Sequence, residues 1–372
     1  MEQEALYSSI YGELVDNVQV RFDKVSQLHK QLYDNVIFER FLDWDTPTIS
    51  LDFEELIGEY GITIAAPTIG LDSKEAIIGS EGFETLKEQV FHHAITRPMT
   101  VQKYRRILQL LDSKRLPDEM VKNELIKLMF GDVNTVVDGV LAKIDYIFLQ
   151  LLFNEGKFTF DNTTNPEGGV RGDYNINLPT SNIATATTSW TTANLASVDC
   201  FEDIQAVIDA AQDIVKFGKI LCAPALISYM CRSTQIKKMV WGTDKSARMV
   251  QLKELNEYMQ QNDFPIFEPI RRQIRVQTAP TAATVSPIVE ANMVFVPDGK
   301  LGVIKNSFAN NELKQEAGVA YSNYGRVRVS QWGVGETQGS NGVEFTKAEV
   351  YAMPVITEKN GIFVLKTGFT KS

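Results

Sequence analysis

Gly156-Lys-Phe-Thr-Phe160, followed after a long polar run by Asp199-Cys-Phe-Glu-Asp-Ile204, brackets the stretch that decides the architecture. Between them, Tyr174 to Val198 carries no charged side chain, is rich in Thr, Asn and Ala, and holds one tryptophan, Trp190. Such a segment reads as loop or edge strand covered by other parts of the protein. Lys157–Asp161 and Tyr174–Leu178 alternate as strand pieces around an Asn/Gly/Pro turn region, 162–173. Upstream, Val133, Val136, Val137, Val140, Leu141, Ile144, Ile147, Phe148, Leu151 and Leu152 predict a helix over Asp132–Asn154, with Asp132 as N-cap and Gly156 just past its end. At 1.5 Å per residue it spans roughly 35 Å, the spine of a domain. Downstream, Asp199-x-x-Glu202 has the shape of a capping box and opens a helix over Phe201–Phe217. The stretch joins two lobes.

Working outward, residues 5–41 read as a helix with a narrow apolar stripe that includes Leu14, Val18 and Val25, either a core helix or an arm lying on a neighbouring subunit. The pattern stops before Pro47, and Ile49, Leu51 and Phe53 alternate as a strand. Gly58 to Gly82 interleaves glycines with Ile62-Thr-Ile-Ala-Ala-Pro67 and Ala76-Ile-Ile78, the pattern of an extended hairpin. A hairpin alone has little core, so Ile62, Ile64, Pro67, Ile77 and Ile78 need cover from their own domain or from another copy. Beyond a short basic helix at Val101–Leu111 and the spine come helices at Ala225–Thr234 and Met249–Gln261. Strands follow at Gln273–Gln277, Met293–Val296, Gly302–Lys305, Val327–Trp332, Val343–Met353 and Gly361–Leu365. Strands at both ends around a helix-rich middle define an α+β class.

A chain of 372 residues exceeds one ordinary core, so two or more lobes are expected. With 37 basic against 47 acidic residues the net charge is −10, which argues against tight non-specific nucleic-acid binding. It suits a wall facing DNA that must not adhere, and equally an ordinary acidic protein. Three cysteines, Cys200, Cys222 and Cys231, are no disulfide framework and read as buried thiols. The start, Met-Glu-Gln-Glu-Ala, lacks the pattern of a signal peptide, and no apolar run is long enough for a membrane span, so cytoplasmic assembly is expected.

Chemistry is hard to find. Adjacent His92 and His93 point to different sides of any regular element, which disfavours a shared metal. Cys222 and Cys231 have no zinc-type spacing, and neither a nucleophile elbow nor a phosphate-binding Walker loop is present. Gly333-Val-Gly335 reads as a hairpin loop, and Arg171-Gly172-Asp173 as a chance tripeptide within a turn. Arg105-Arg106, Lys237-Lys238 and Arg271-Arg272 suit inter-subunit salt bridges or solvated faces. No catalytic residue, cofactor or metal site is assigned.

Several segments taken in order resemble the phage major capsid protein E family, the group of the lambda major head protein. They are Phe38-Glu-Arg40-Phe41 before Pro47; Ala65-Ala-Pro67 with Gly79 and Gly82; Arg97-Pro98; Gly156–Phe160; Tyr174-Asn-Ile-Asn-Leu178; Ser189-Trp190; and Asp199 with Asp203-Ile204. Phe295-Val-Pro297-Asp-Gly299 with Gly302-Val-Ile304, and Ala352-Met-Pro354, complete the series. The resemblance implies an HK97-type capsid fold with an N-terminal arm (1–50), an extended-loop region (51–98) and a peripheral domain (99–198) around a spine helix at 132–154. An axial domain (199–325) and C-terminal strands (326–372) returning to both would follow. It also implies a major capsid protein forming hexamers and pentamers of an icosahedral shell around double-stranded DNA, with portal, scaffolding and decoration proteins as partners and no membrane. Arg97, Arg271 and Arg272 join the apolar residues of arm and hairpin as candidate subunit contacts. Lys–Asn crosslinking known in the wider fold, for which Lys74, Lys87 and Asn360 are the residues at hand, is not expected. Alternatives are an encapsulin-like nanocompartment shell of the same fold and an unrecognised α+β enzyme.

Overall fold

The structure, a computed structural model, describes residues 36–57, 84–99, 102, 105, 106, 109, 118–166, 168–242, 248–274, 276, 286–317, 319–334 and 343–370, with the backbone alone at 56, 57, 84, 85, 118–132, 333, 334, 343 and 344. Along the chain come α1 (Phe38–Phe41), β1 (Leu42–Trp44), β2 (Asp52–Ile57), β3 (Glu84–Gln89), β4 (Phe91–Pro98), α2 (Asp118–Phe153), β5 (Lys157–Phe160), β6 (Gly172–Asn175) and β7 (Ile183–Thr185). Then follow α3 (Cys200–Ala211), β8 (Phe217–Cys222), α4 (Pro224–Arg232), α5 (Thr234–Trp241), α6 (Leu252–Gln261), β9 (Ile266–Pro269), β10 (Asn292–Pro297), β11 (Gly302–Ser307), α7 (Asn310–Leu313), β12 (Ala320–Tyr324), β13 (Val327–Val334), β14 (Val343–Ile356) and β15 (Phe363–Lys366).

The spine helix α2 begins at Asp118, 14 residues earlier than the pattern predicts, so Asp132 lies inside it and is not its N-cap position. Gly131, just before it, costs a helix about 1 kcal/mol but does not stop it; Pro117 immediately precedes the start. From Ile144 to Phe153 every residue except Gln150 is buried, so this half of α2 is enclosed on all sides. The helix stops at Gly156 (φ 81°), where an added Cβ would lie 2.8 Å from Ile176 Cγ1.

One sheet is organised by the 14-residue β14. Residues 345–349 pair with both β4 and β13, while Tyr351 and Ala352 pair with both β4 and β11. Hence β4 runs along one edge of β14, and β13 and β11 lie end to end along the other, extended by β12 and by β1. The spine helix packs on β4 and β14. A Cβ at Gly302 would sit 2.1 Å from Val355 O, so this close strand approach requires glycine. β11 and β12, within the 199–325 stretch expected in the second lobe, thus belong to the first sheet. Their alternation fits either sheet, and pairing with β14 and β13 decides it.

The second sheet has the order β7-β15-β10-β8-β9 and carries α3, α4 and α6. Asp199 caps α3, accepting from Phe201 N and Glu202 N at 3.1 Å. This helix ends at Ala211, before the predicted Phe217, because Phe217 instead opens β8, where its ring packs against Phe295 and Phe363. Ser233 splits the third helical region by capping α5 through Ile236 N. The outer edge of β9 is closed by one side chain: Asn256 of α6 accepts from Phe267 N at 2.9 Å and donates to Phe267 O at 3.0 Å. The stretch 174–198 runs from Tyr174, whose hydroxyl donates to Pro354 O in β14, to β7, which pairs with β15.

Candidate assembly surfaces

β2 and β3 pair with each other in unbroken register from Asp52↔Gln89 to Ile57↔Glu84 and join neither large sheet. Lys87 meets Glu54 at 2.6 Å across the pair, and Gln89 donates to Asp52 at 2.7 Å. Lys305 of β11 holds this base to the body through Glu55 and, at 2.6 Å, Asp45, whose carboxyl it keeps below its ordinary pKa. The predicted contacts Ile62, Ile64, Pro67, Ile77 and Ile78 lie outside the described residues, as do Leu14, Val18 and Val25.

At Val36–Phe38, where the described residues begin, the backbone is held by a buried carboxylate. Asp145, in the enclosed half of α2, accepts from Ile37 N at 3.0 Å and Phe38 N at 2.9 Å, and its own exposure is nil. Burial raises its pKa to about 6, opposed by the Phe38 N–H, the Arg272 guanidinium and the Ile37 N–H. Arg272 Nε lies 3.2 Å from Asp145 Oδ2, a charge contact without hydrogen-bond alignment, and Arg272 also approaches Asp138 at 3.7 Å. Phe38 and Phe41 follow into the core, Phe41 against Phe148.

The sequence candidates are thus dispersed. Arg272 faces inward to Asp138 and Asp145, Arg271 is exposed, and Arg97 is exposed at the far end of β4, donating to Thr135 Oγ1 at 2.9 Å. His92 meets Glu349 at 2.9 Å and stacks on Tyr351, while His93 is buried against Ala352 O. Burial, helped by the nearby Lys143 charge, holds His93 down to about 3. All three cysteines are buried and free, and burial pushes the Cys231 thiol up to about 11. Arg171 is folded into its own turn, donating to Asn165 O and Val170 O, and Asp173 accepts from Thr159 Oγ1. Among the described residues no three His, Cys, Asp or Glu side chains converge as a metal site would require, and no helix is long and apolar enough to cross a membrane.

Two polar junctions escaped the sequence reading. One is Asp145, visible as the lone charge in Ile144-Asp-Tyr-Ile-Phe-Leu149. The other is Trp190, fully buried, whose indole N–H donates to Asp203 Oδ2 at 2.9 Å while Thr187 N donates to Oδ1 at 2.9 Å. The exposed apolar pair Ile49 and Leu51 was read as part of a strand, not as surface.

A long helix laid on a β14-centred sheet, a second five-stranded sheet with helices, and a hairpin base outside both define an HK97-type capsid subunit. The fold is shared with a crystal structure described as a capsid protein of a prophage of E. coli CFT073 (TM-score 0.54, 10% identity, covering 90% of this chain and 92% of that one). A phage-related protein from Bordetella bronchiseptica RB50 is also similar (TM-score 0.50, 9% identity, covering 91% and 94%). No curated protein sequence matches the chain. The chain belongs to the phage major capsid protein E family, whose sequence model matches residues 39–367. It is a shell-forming capsid protein of a bacteriophage, a component of the virion capsid, where it assembles with copies of itself.

Proposed function

We propose that this chain closes into hexamers and pentamers of an icosahedral shell around packaged double-stranded DNA of a tailed phage, and that it catalyses no reaction. The observation carrying this reading is the β2–β3 base: a two-stranded sheet separate from both large sheets, marginal by itself, inside a chain of a capsid family. The expected loop region 51–98 is shortened, since β4 pairs with β14. The β2–β3 ribbon and what it carries between 57 and 84 serve as the extended loop laid on a neighbour. The arm, expected over 1–50, is the segment before Val36, because β1 pairs with β11. The lobe of α2 and the β14 sheet is the peripheral domain, and the five-stranded lobe is the axial domain at the centre of each capsomer. Ring-closing contacts of this kind are heterologous, one patch meeting a different patch on the next copy. A net charge of −10 keeps the wall from gripping DNA. Portal, scaffolding and decoration proteins are the further partners, and assembly takes place in the host bacterial cytoplasm.

Negative-stain microscopy of the purified protein, alone and co-expressed with its phage's scaffold, tests the reading. Uniform closed particles are expected; a monomer or dimer under every assembly condition would refute it. Nuclease-protected DNA in particles from infected cells, in place of a protein cargo, separates a phage head from a nanocompartment.

A further inference from the structure

The face of the β14 sheet turned away from the spine holds a guarded cation. Ile95, paired with Ala348, lies against Gly139 of α2, so Lys347 and Glu349 point to the opposite face. Opposite them in β13 stand Ser330 and Arg328, and opposite these in β12 stand Tyr321 and Asn323. Arg328 is only 7% exposed. Its Nη1 donates to Asn323 Oδ1 at 2.7 Å and the Tyr321 ring lies 4.7 Å away, yet among the described residues its buried Nε and Nη2 have no hydrogen-bond partner. That edge of a guanidinium grips an oxyanion through two parallel bonds. Glu349 does not fill it, because its carboxylate already serves His92 at 2.9 Å, Lys347 at 2.6 Å and Asn311. One acid against Arg328 and Lys347 leaves a positive charge in excess, and a buried charge without a counterpart is costly.

A strap roofs this cation. Asn311 bonds Glu349 in β14, and Glu316 N donates to Tyr321 Oη in β12 at 3.2 Å, so residues 311–316 cross over β13 between them. Residues 313–317, with the charges of Lys314 and Glu316, are exposed, and the strap shields Arg328 from solvent. A side chain of another copy would have to thread beneath it, whereas a small ion enters when 313–317 lift. Asn311 Oδ1 is a second buried atom without a partner, and it is an acceptor. The missing ligand must therefore accept from Arg328 and also donate one hydrogen. Hydrogen phosphate does both; sulfate and ionised carboxylates have no hydrogen to give. We propose that Arg328, Lys347 and Asn311 bind one inorganic phosphate beneath the strap 311–316. Nε and Nη2 of Arg328 donate to two of its oxygens, Lys347 adds charge, and its hydroxyl donates to Asn311 Oδ1. The site belongs to the single subunit and does not depend on the shell reading.

Calorimetric titration of the purified protein with inorganic phosphate, and separately with sulfate, in chloride buffer of constant ionic strength tests this. Wild type should show a single saturable phosphate site, with sulfate bound roughly tenfold more weakly. Arg328→Lys keeps the charge but loses the fork, and should weaken phosphate roughly tenfold. Asn311→Ala, which leaves Arg328 in place, should remove the preference for phosphate over sulfate. Tyr321→Phe keeps the ring over Arg328 but frees Glu316 N, so phosphate should dissociate several-fold faster while the fold is unchanged by circular dichroism. No saturable binding by wild type overturns the proposal. Equal binding by wild type and folded Arg328→Lys, an adventitious ion only, overturns it as well. Should Arg328→Lys fail to fold, Asn311→Ala decides: an undiminished preference for phosphate overturns the site. A crystal structure grown in phosphate with only water on Arg328 Nε and Nη2 would do the same.

Discussion

Two buried titratable residues respond to acid in opposite directions. Asp145 has a folded pKa of about 6, above its ordinary 3.8, so the folded state holds the proton more tightly than the unfolded chain. Its contribution is greatest below pH 3.8 and is lost as pH rises through 6. His93, held to about 3 from 6.5, is the reverse: its contribution is full above pH 6.5 and lost as pH falls toward 3. At pH 4.5, relative to pH 7, His93 costs about 3 kcal/mol and Asp145 returns about 2. Between them the two groups nearly cancel, while carboxylates held low by their partners, such as Asp45, Glu268 and Glu349, add to the loss in acid. Denaturant unfolding from pH 7 to 4.5 should show a steeper acid loss than wild type in Asp145→Asn and a shallower one in His93→Gln; parallel profiles for all three would contradict the assignment. At the lobe junction, Asp203→Ala leaves the Trp190 and Thr187 N–H groups buried without an acceptor and costs about 3 kcal/mol, with Asp203→Asn recovering part of it. Gly156→Ala combines a positive φ with a 2.8 Å approach to Ile176 and should cost about 2 kcal/mol, read as a drop in Tm. Gly156 was legible as a helix stop because glycine there is a chain-conformation requirement. Asp203 was legible as part of a motif, but not as the acceptor for Trp190, since that pairing depends on how a charge-free loop folds back.

At the scale of elements, periodicity located the spine and the late strands because each buries a regular face. It failed at ends, where a single residue decides. Asp132 looked like an N-cap and is carried within α2, whose later turns are enclosed by core; Phe217 looked like the end of a helix and opens a strand. Pairing was not legible: Gly302–Lys305 alternates suitably for either sheet, and the 14 residues of β14, which serve three neighbours, set its place. Nor could alternation reveal that β9 ends its sheet under the amide of Asn256. Asn256→Ala should open that edge: two backbone groups of Phe267 lose their partners, a loss of about 2 kcal/mol. Amide exchange at Phe267 should accelerate while that at Ile220, inside the sheet, holds. Unchanged exchange at Phe267 would mean that the edge is closed by something else.

The whole molecule separates what makes the subunit fold from what makes it assemble. The described core is one continuous cluster reaching from Phe38 through α2 and the β14 sheet to β15, and Asn292 of β10 donates to Phe153 O at the end of the spine. Among its described side chains, the β2–β3 pair places Leu86 in that cluster, with Phe53 packed against it. Its sequence reads as costly for a lone subunit, because an apolar glycine-rich hairpin without a core needs a second surface. That argument yields a decisive variant. Ile57 and Glu84 face each other in register, so an Asn-Gly turn can replace 58–83 and close the strands as a two-residue hairpin. The shortened subunit keeps both sheets, the Asp145 and Asp203 junctions and the Lys305 anchor, and should melt within a few degrees of wild type. It should form no closed particles under conditions where wild type does, as judged by negative stain and sedimentation. Shells of wild-type diameter from the shortened chain would show that the hairpin is dispensable and would move the assembly function to the body of the subunit.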